Sequence, residues 1–384
     1  MPDNLQLLSA ARVNTVMSAL QDKRGVPGTL LFLSRTPIVP AAEGEIMARF
    51  LGQILIADLI ADGQRAGVYS AGKMFLETTT APNLKIGTAL NQEQLNQLNA
   101  MMAGINVQDP LFPLSEARIL DNLRLGVQQR MEALLVAARI GSTSYDKLGI
   151  KMSGVTFGMP SDLQITPTNE WTDSSNATPV ADILIAKRLG QVKYGIVYDR
   201  VVLTLAAFNA MIATTEFQNK ARTYLAPNVS FTNLNAADTE FQRNLATNVL
   251  GVREVQIYDS RYWTENVDGT IHSAPFLPIN KVILESSQND NDASAIDFAN
   301  GVVTEAIVSN LGGSKIQGQL PGNARGPVAY TTAEDNPPSV TYWGVGRGFP
   351  RRHLMQATAC LTVAPDTGTG SLEETIDFGE IAFA

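Results

Sequence analysis

The chain has 384 residues, 45% of them hydrophobic, and carries 29 Lys plus Arg against 37 Asp plus Glu, a net charge of −8. A chain of this length buries an ample core and divides by size into two or three domains, while its acidic balance excludes nucleic-acid binding driven by charge. The single cysteine, Cys360, excludes an intrachain disulfide and fits a reducing compartment; with no secretory-type opening and no apolar run of about 18 residues, a soluble, cytoplasmically made protein without membrane contact is expected.

The spacing of Leu5, Leu8, Val13, Val16, Met17 and Leu20 predicts a modest helix over Asn4 to Gln21. Pro27, Pro37 and Pro40 then forbid a long helix and favour an extended strap. From Ile46 to Leu90 the character turns to β. Ile54, Leu55 and Ile56 run up to a polar break at Asp62-Gly63-Gln64-Arg65, and Val68, Tyr69, Met74, Phe75 and Leu76 run back. Such a hairpin has too little apolar surface to stand alone and needs a partner to lie on. The strongest helical signal is Leu114 to Gly141, with Ile119, Leu120, Leu123, Val127, Met131, Leu134, Leu135 and Ala138 on one stripe, Ser115 as cap and Gly141 as stop. At about 1.5 Å per residue it is a spine of roughly 40 Å.

Beyond it, Ile150 to Gly158 has strand character and Ser161 to Pro179 is a long polar loop. A mixed block follows, with helices near Pro179 to Leu189, Arg200 to Ala213 and Ala236 to Leu250, and strands at Tyr194 to Tyr198 and Glu254 to Tyr258. This alternation argues for a compact unit of helices on a sheet. Asp268-Gly269 offers the turn of a hairpin between Arg261 to Glu265 and Thr270 to Phe276. A strand within Pro278 to Ser286 and a polar turn at Gln288 to Asp292 come next, and Val340 to Ala364 is β-rich, with Arg347, Arg351 and Arg352 around a Gly-rich bend.

The chemical inventory is thin. His272 and His353 stand 81 positions apart and, with one cysteine, form no zinc or haem pattern. Glu373-Glu374 reads as a solvated pair, and no G-x-S-x-G elbow occurs. Gly67 to Met74, GVYSAGKM, approaches a phosphate loop, but Met74 stands where a magnesium-binding hydroxyl is required and the following MFLETTT is strand-like. The WGVGRGF run suits a bend between strands better than a dinucleotide fingerprint, and Trp343, Arg347, Phe349, Arg351 and Arg352 suit an ion-pairing patch better than a nucleic-acid site. No catalytic residue, metal or cofactor is expected.

Three stretches nonetheless carry a resemblance: ITPTNEWTDSSNATPVAD from Ile165 to Asp182, Ile196 to Asp199 with the helix after it, and VQIYDSRYWTENVDGTIHSAPFLPINKVILES from Val255 to Ser286. Together with the order of elements they resemble the major capsid protein of tailed double-stranded DNA bacteriophages, in its lambda branch. The resemblance implies an α+β fold with an N-terminal arm (1–45), an extended E-loop hairpin (46–90), a P-domain with the spine helix (91–158), an A-domain (159–335), and return strands of the P-domain with a C-terminal tail (336–384). It implies hexamers and pentamers of this chain in an icosahedral shell around DNA that is enclosed without specific binding. The implied partners are a portal, a separate scaffolding protein and, in some shells, a decoration protein. Only about 25 residues precede the Pro-rich strap, too few for a fused scaffold.

On this reading the hairpin is an intersubunit clamp. Asp58, Asp62, Arg65 and Lys73 near its tip would pair with a neighbour's P-domain, where Arg118, Arg124, Arg347 and Arg352 are the candidate partners. An encapsulin-like protein nanocompartment is the alternative shell, and a nucleotide-hydrolysing enzyme using Gly67 to Lys73 is the remote one.

Overall fold

The computed structural model describes residues 28–41, 46–50, 74–78, 82–90, 93, 116–147, 150–224, 239–265, 271–303, 316–317, 324–335 and 338–365. The expected helix over 4–21, the hairpin strands around Ile54 and Val68 and the tail after Pro365 lie outside them. Two units divide the chain, each drawn from separated stretches of sequence.

The first draws on the described residues within Met1–Ile46, Thr78–Leu135 and Asp297–Arg351. Its six-stranded sheet runs in the order Ile38–Pro40, Ile296–Asn300, Pro338–Arg352, Val328–Asp335, Ile316–Gln317, with Asn83–Leu90 also paired to Pro338–Arg352. Asn83–Leu90, expected in the hairpin, is thus a strand of this sheet. The WGVGRGF run, expected as a bend, lies inside the continuous strand Pro338–Arg352. Its glycines answer a different need. A Cβ on Gly344 would stand 2.8 Å from Leu123 Cβ, and one on Gly346 would stand 2.8 Å from Val127 Cγ1. Two positions apart, they share one face of the strand, and their bareness lets the helix Glu116–Ile140 lie close against it.

That helix buries its predicted stripe from Ile119 to Ala138. Gly141 stops it with φ +104°, its N–H donating to Ala137 O at 3.0 Å. A second, polar line is buried as well: Asp121, Arg124, Gln128 and Glu132, again three and four apart. Between Pro27 and Pro37 the expected strap holds a five-residue helix, Leu31–Arg35, before strand Ile38–Pro40 pairs in parallel with Ile296–Asn300.

The second unit draws on the described residues within Met47–Glu77, Val136–Ile296 and Arg352–Ala384. Its five-stranded sheet has the order Gln164–Ile165, Thr358–Thr362, Lys281–Glu285, Arg200–Leu203, Glu254–Ile257. Helices Pro179–Leu189, Leu205–Ala213, Thr215–Ala221 and Thr239–Leu250 pack with it around Trp171, Ile183, Phe208, Met211, Phe217 and Leu284. The expected strand at Tyr194 to Tyr198 is not one. Gly190–Tyr194 is a widened helical turn ending at Gly195, φ +68°, and the strand follows at Arg200–Leu203, where a helix start is expected. Val201 and Val202 are β-branched and fully buried between two neighbouring strands, and Thr204 begins the next helix by accepting from the Ala207 N–H. The hairpin at Arg261–Glu265 and Ile271–Pro275 is as expected, and a second one, Ser142–Lys147 with Ile150–Thr156, pairs the strand after the spine helix with a partner the sequence reading leaves out.

Candidate assembly surfaces

Of the eight charged residues assigned to the clamp, Asp58, Asp62, Arg65 and Lys73 lie outside the described residues. Arg118 is exposed on the first turns of the long helix, and Arg347 is half-buried with Nη1 3.4 Å from Val302 O. Arg124 and Arg352 are corrections, because both are buried and hydrogen-bonded within the chain. Arg124 donates to Asp121 Oδ1 at 2.9 and 3.1 Å and to Gln128 Oε1 at 3.3 Å. Arg352 donates to Ala138 O at 2.9 Å, Met355 O at 2.7 Å, and Thr358 Oγ1 and O at 3.0 and 2.9 Å. A buried guanidinium is tolerable only with such partners, and engaged this way it offers a neighbour no charge.

The remaining aromatic and basic residues of the late strand also serve the subunit. Arg351 forms a two-pronged buried pair with Asp297 at 2.8 and 2.5 Å, and Lys85 Nζ sits 4.4 Å above the Trp343 ring. The ion-pairing reading therefore describes Arg351.

Three arrangements have no signal in the sequence reading. Glu132 accepts from the Phe32 and Leu33 N–H groups at 3.0 and 2.6 Å, tying the first turn of Leu31–Arg35 to the long helix across about a hundred residues of sequence. Arg200 reaches Glu254 at 2.9 Å, Glu285 at 3.0 Å and Asp290 at 2.8 Å, and Arg139 shares Glu285 at 3.3 Å. Trp171, fully buried, donates Nε1–H to Asp182 Oδ2 at 3.0 Å. Burial pushes the Asp182 carboxyl above the usual carboxylate range and the nearby Glu216 charge adds to it, against the indole's hydrogen bond. Glu216 itself accepts from the Val180 and Ala181 N–H groups at the start of Pro179–Leu189. Trp171 and Asp182 both fall in the first of the three resembling stretches.

On the outside of the second unit, large apolar side chains are left uncovered in one short stretch. Leu184 is 43% exposed, Ile185 60%, Val192 77% and Val197 53%, while Val180, Ile183 and Ala186 of the same helix are buried.

Nothing among the described residues gathers three His, Cys, Asp or Glu side chains into a metal site, and no helix among them is long and apolar enough to cross a membrane. His353 is half-buried, and His272 lies in the hairpin opposite Thr264. After Lys73 the chain enters strand Met74–Thr78, where a phosphate loop would open a helix.

A long helix laid on a six-stranded sheet, and a mixed five-stranded sheet flanked by helices, make an α+β chain with the fold of phage capsid proteins. Among solved structures it is similar to a proposed capsid protein of an Escherichia coli prophage, with a TM-score of 0.52 and 13% identity over 93% of this chain and 99% of that one. It is also similar to a phage-related protein from Bordetella bronchiseptica, with a TM-score of 0.50 and 14% identity over 92% of this chain and 99% of that one. An encapsulin complex from Synechococcus elongatus gives a TM-score of 0.41 at 11% identity over 91% of this chain and 92% of that one. No family model and no curated protein matches the chain.

Proposed function

We propose that this chain is the major capsid subunit of a tailed double-stranded DNA phage, forming hexamers and pentamers that close into an icosahedral head. The observation that carries the reading is the likeness of fold to the prophage capsid protein over nearly the whole of both chains. In this reading residues 1–45 are the arm, 46–90 the extended loop, 91–158 with the long helix the peripheral domain, 159–335 the axial domain, and 336–384 the return strands of the peripheral domain with the C-terminal tail. Interfaces of the obligate class, about 2,000 Å² or more each, repeat under closed symmetry and carry the load of the enclosed genome. A separate scaffolding protein and a portal act during assembly in the host cytoplasm, a decoration protein is a further partner, and the finished chain resides in the virion.

Electron microscopy and light scattering of the expressed chain, alone and with candidate scaffolds, test this. Uniform closed particles are expected with a scaffold present; subunits that stay monomeric under every condition would overturn the proposal, and particles that recruit a protein cargo instead of DNA would favour a nanocompartment. The clamp has its own test. Replacing Asp58 to Ser70 by a short Gly-containing turn is expected to leave a soluble, folded subunit that makes no shells.

A further inference from the structure

We propose that Asn300-Gly301 is a site of spontaneous deamidation that the finished fold holds shut and that stays open in any chain whose six-stranded sheet is incomplete. The inference is independent of the shell reading. It draws on the sequence and on the bonds around the end of one strand.

The Asn-Gly dipeptide occurs once in the 384 residues. Its chemistry needs no catalyst. The Gly301 amide nitrogen gives its proton to hydroxide and attacks Asn300 Cγ, the Cγ–Nδ2 bond breaks, and the side-chain nitrogen leaves as ammonia with a proton from water. The succinimide so formed takes up one water at either of its carbonyls, leaving aspartate or isoaspartate at position 300. Glycine favours the attack, because it has no Cβ in the way and its backbone reaches the necessary conformation freely.

The fold opposes each step. Asn300 Nδ2–H donates to Gly326 O at 3.0 Å, which fixes the side-chain amide. The Gly301 N–H donates to Arg347 O at 2.8 Å, which engages the proton that has to leave, and Gly301 is buried. The peptide carbonyl between the two residues is held as well: Asn300, the last residue of its strand and set opposite Pro40, accepts at O from the Ala41 N–H at 3.1 Å and from Arg325 Nη1 at 2.6 Å.

The fold does not itself demand the glycine. Its backbone is not left-handed, and a Cβ there would stand 3.4 Å from Arg347 Cγ and Cδ, a distance that a flexible side chain accommodates. Gly326, Arg325 and Arg347 are all synthesised after the dipeptide, so its protection is complete only when Pro338–Arg352 has taken its place in the sheet. Either product harms the strand. Aspartate sets a carboxylate oxygen against Gly326 O where a donor stood. Isoaspartate adds a methylene to the main chain and displaces the next two bonds, Gly301 N–H to Arg347 O and Val303 N–H to Ala324 O. The site therefore records time spent unfolded and removes chains that have spent too long there.

Mass spectrometry of the peptide around residue 300, from the full chain incubated at mildly alkaline pH in native buffer and in urea, tests the site. Conversion at Asn300 is expected in urea, and about a hundredfold slower in native buffer because it proceeds only through opened chains. Gly301→Ala should slow the conversion in urea about tenfold or more. Asn300→Asp, which is the simpler product, should lower the urea midpoint or prevent folding. Equal rates in the two buffers would overturn the protection, and no conversion at Asn300 in urea would remove the site. A Gly301→Ala chain that converts in urea as fast as the parent would refute the succinimide route, and an Asn300→Asp chain as stable as the parent would refute the damage.

Discussion

Glu132 spends both carboxylate oxygens on the Phe32 and Leu33 amides, in a place with no access to water. Glu132→Ala would strand two buried donors and is expected to cost about 2–4 kcal/mol, with Glu132→Gln, which keeps one acceptor, costing less; the denaturant midpoint of the purified chain checks this, and an unchanged midpoint would remove the anchoring role. Asp182 works in the opposite sense. Burial, and after it the Glu216 charge, makes the folded chain hold the Asp182 proton more tightly than the unfolded one. The stability it contributes is therefore fully present below the unfolded carboxylate pKa and is lost as pH rises through the higher folded value. Asp182→Asn keeps an acceptor for the Trp171 indole and removes the charge. The variant should melt higher than the parent at about pH 7, and the gap should shrink toward about pH 3. A gap that grows on acidification would contradict the assignment.

At the scale of elements, the close approach of the long helix to its sheet depends on bare glycine. Gly346→Ala would drive a methyl into Val127 Cγ1 and should cost about 1–3 kcal/mol. Val127→Ala removes the obstructing atom, so the double variant should recover part of the loss, a coupling that urea melts of the four chains can read. The same glycines mark where sequence legibility ends. The apolar stripe from Ile119 to Ala138, the helix Pro179–Leu189 and the hairpin at Arg261 are legible because periodicity and turn chemistry are local. Arg200–Leu203 is not: a short strand buried on both faces shows no alternation, and it runs straight into Leu205-Ala206-Ala207, which favours helix. Arg124 and Arg352 mislead for a related reason, since a sequence shows a cation but not the acceptors, such as Ala138 O and Met355 O, that folding brings to it. The exposed Leu184 and Ile185 are equally hidden, because an apolar residue on a helix reads as core until its neighbours are known.

For the whole molecule, a net charge of −8 sets the expectation that the free chain binds duplex DNA weakly, and a submicromolar Kd at physiological salt would overturn it. The division of the chain into interleaved stretches has another effect, on the order of events at the ribosome. The inner strand of the six-stranded sheet, Pro338–Arg352, and an inner strand of the five-stranded sheet, Thr358–Thr362, are the last described strands to be synthesised. Until they emerge, both sheets are split and expose unpaired edges, the condition in which nascent chains aggregate. A chain ended after Asn336 should accumulate as insoluble material or bound to chaperones, as fractionation of expressing cells would show. Because neither half can finish early, synthesis and folding are separated in time, and the pool of folded chains should rise only after a lag set by the emergence of Thr358–Thr362.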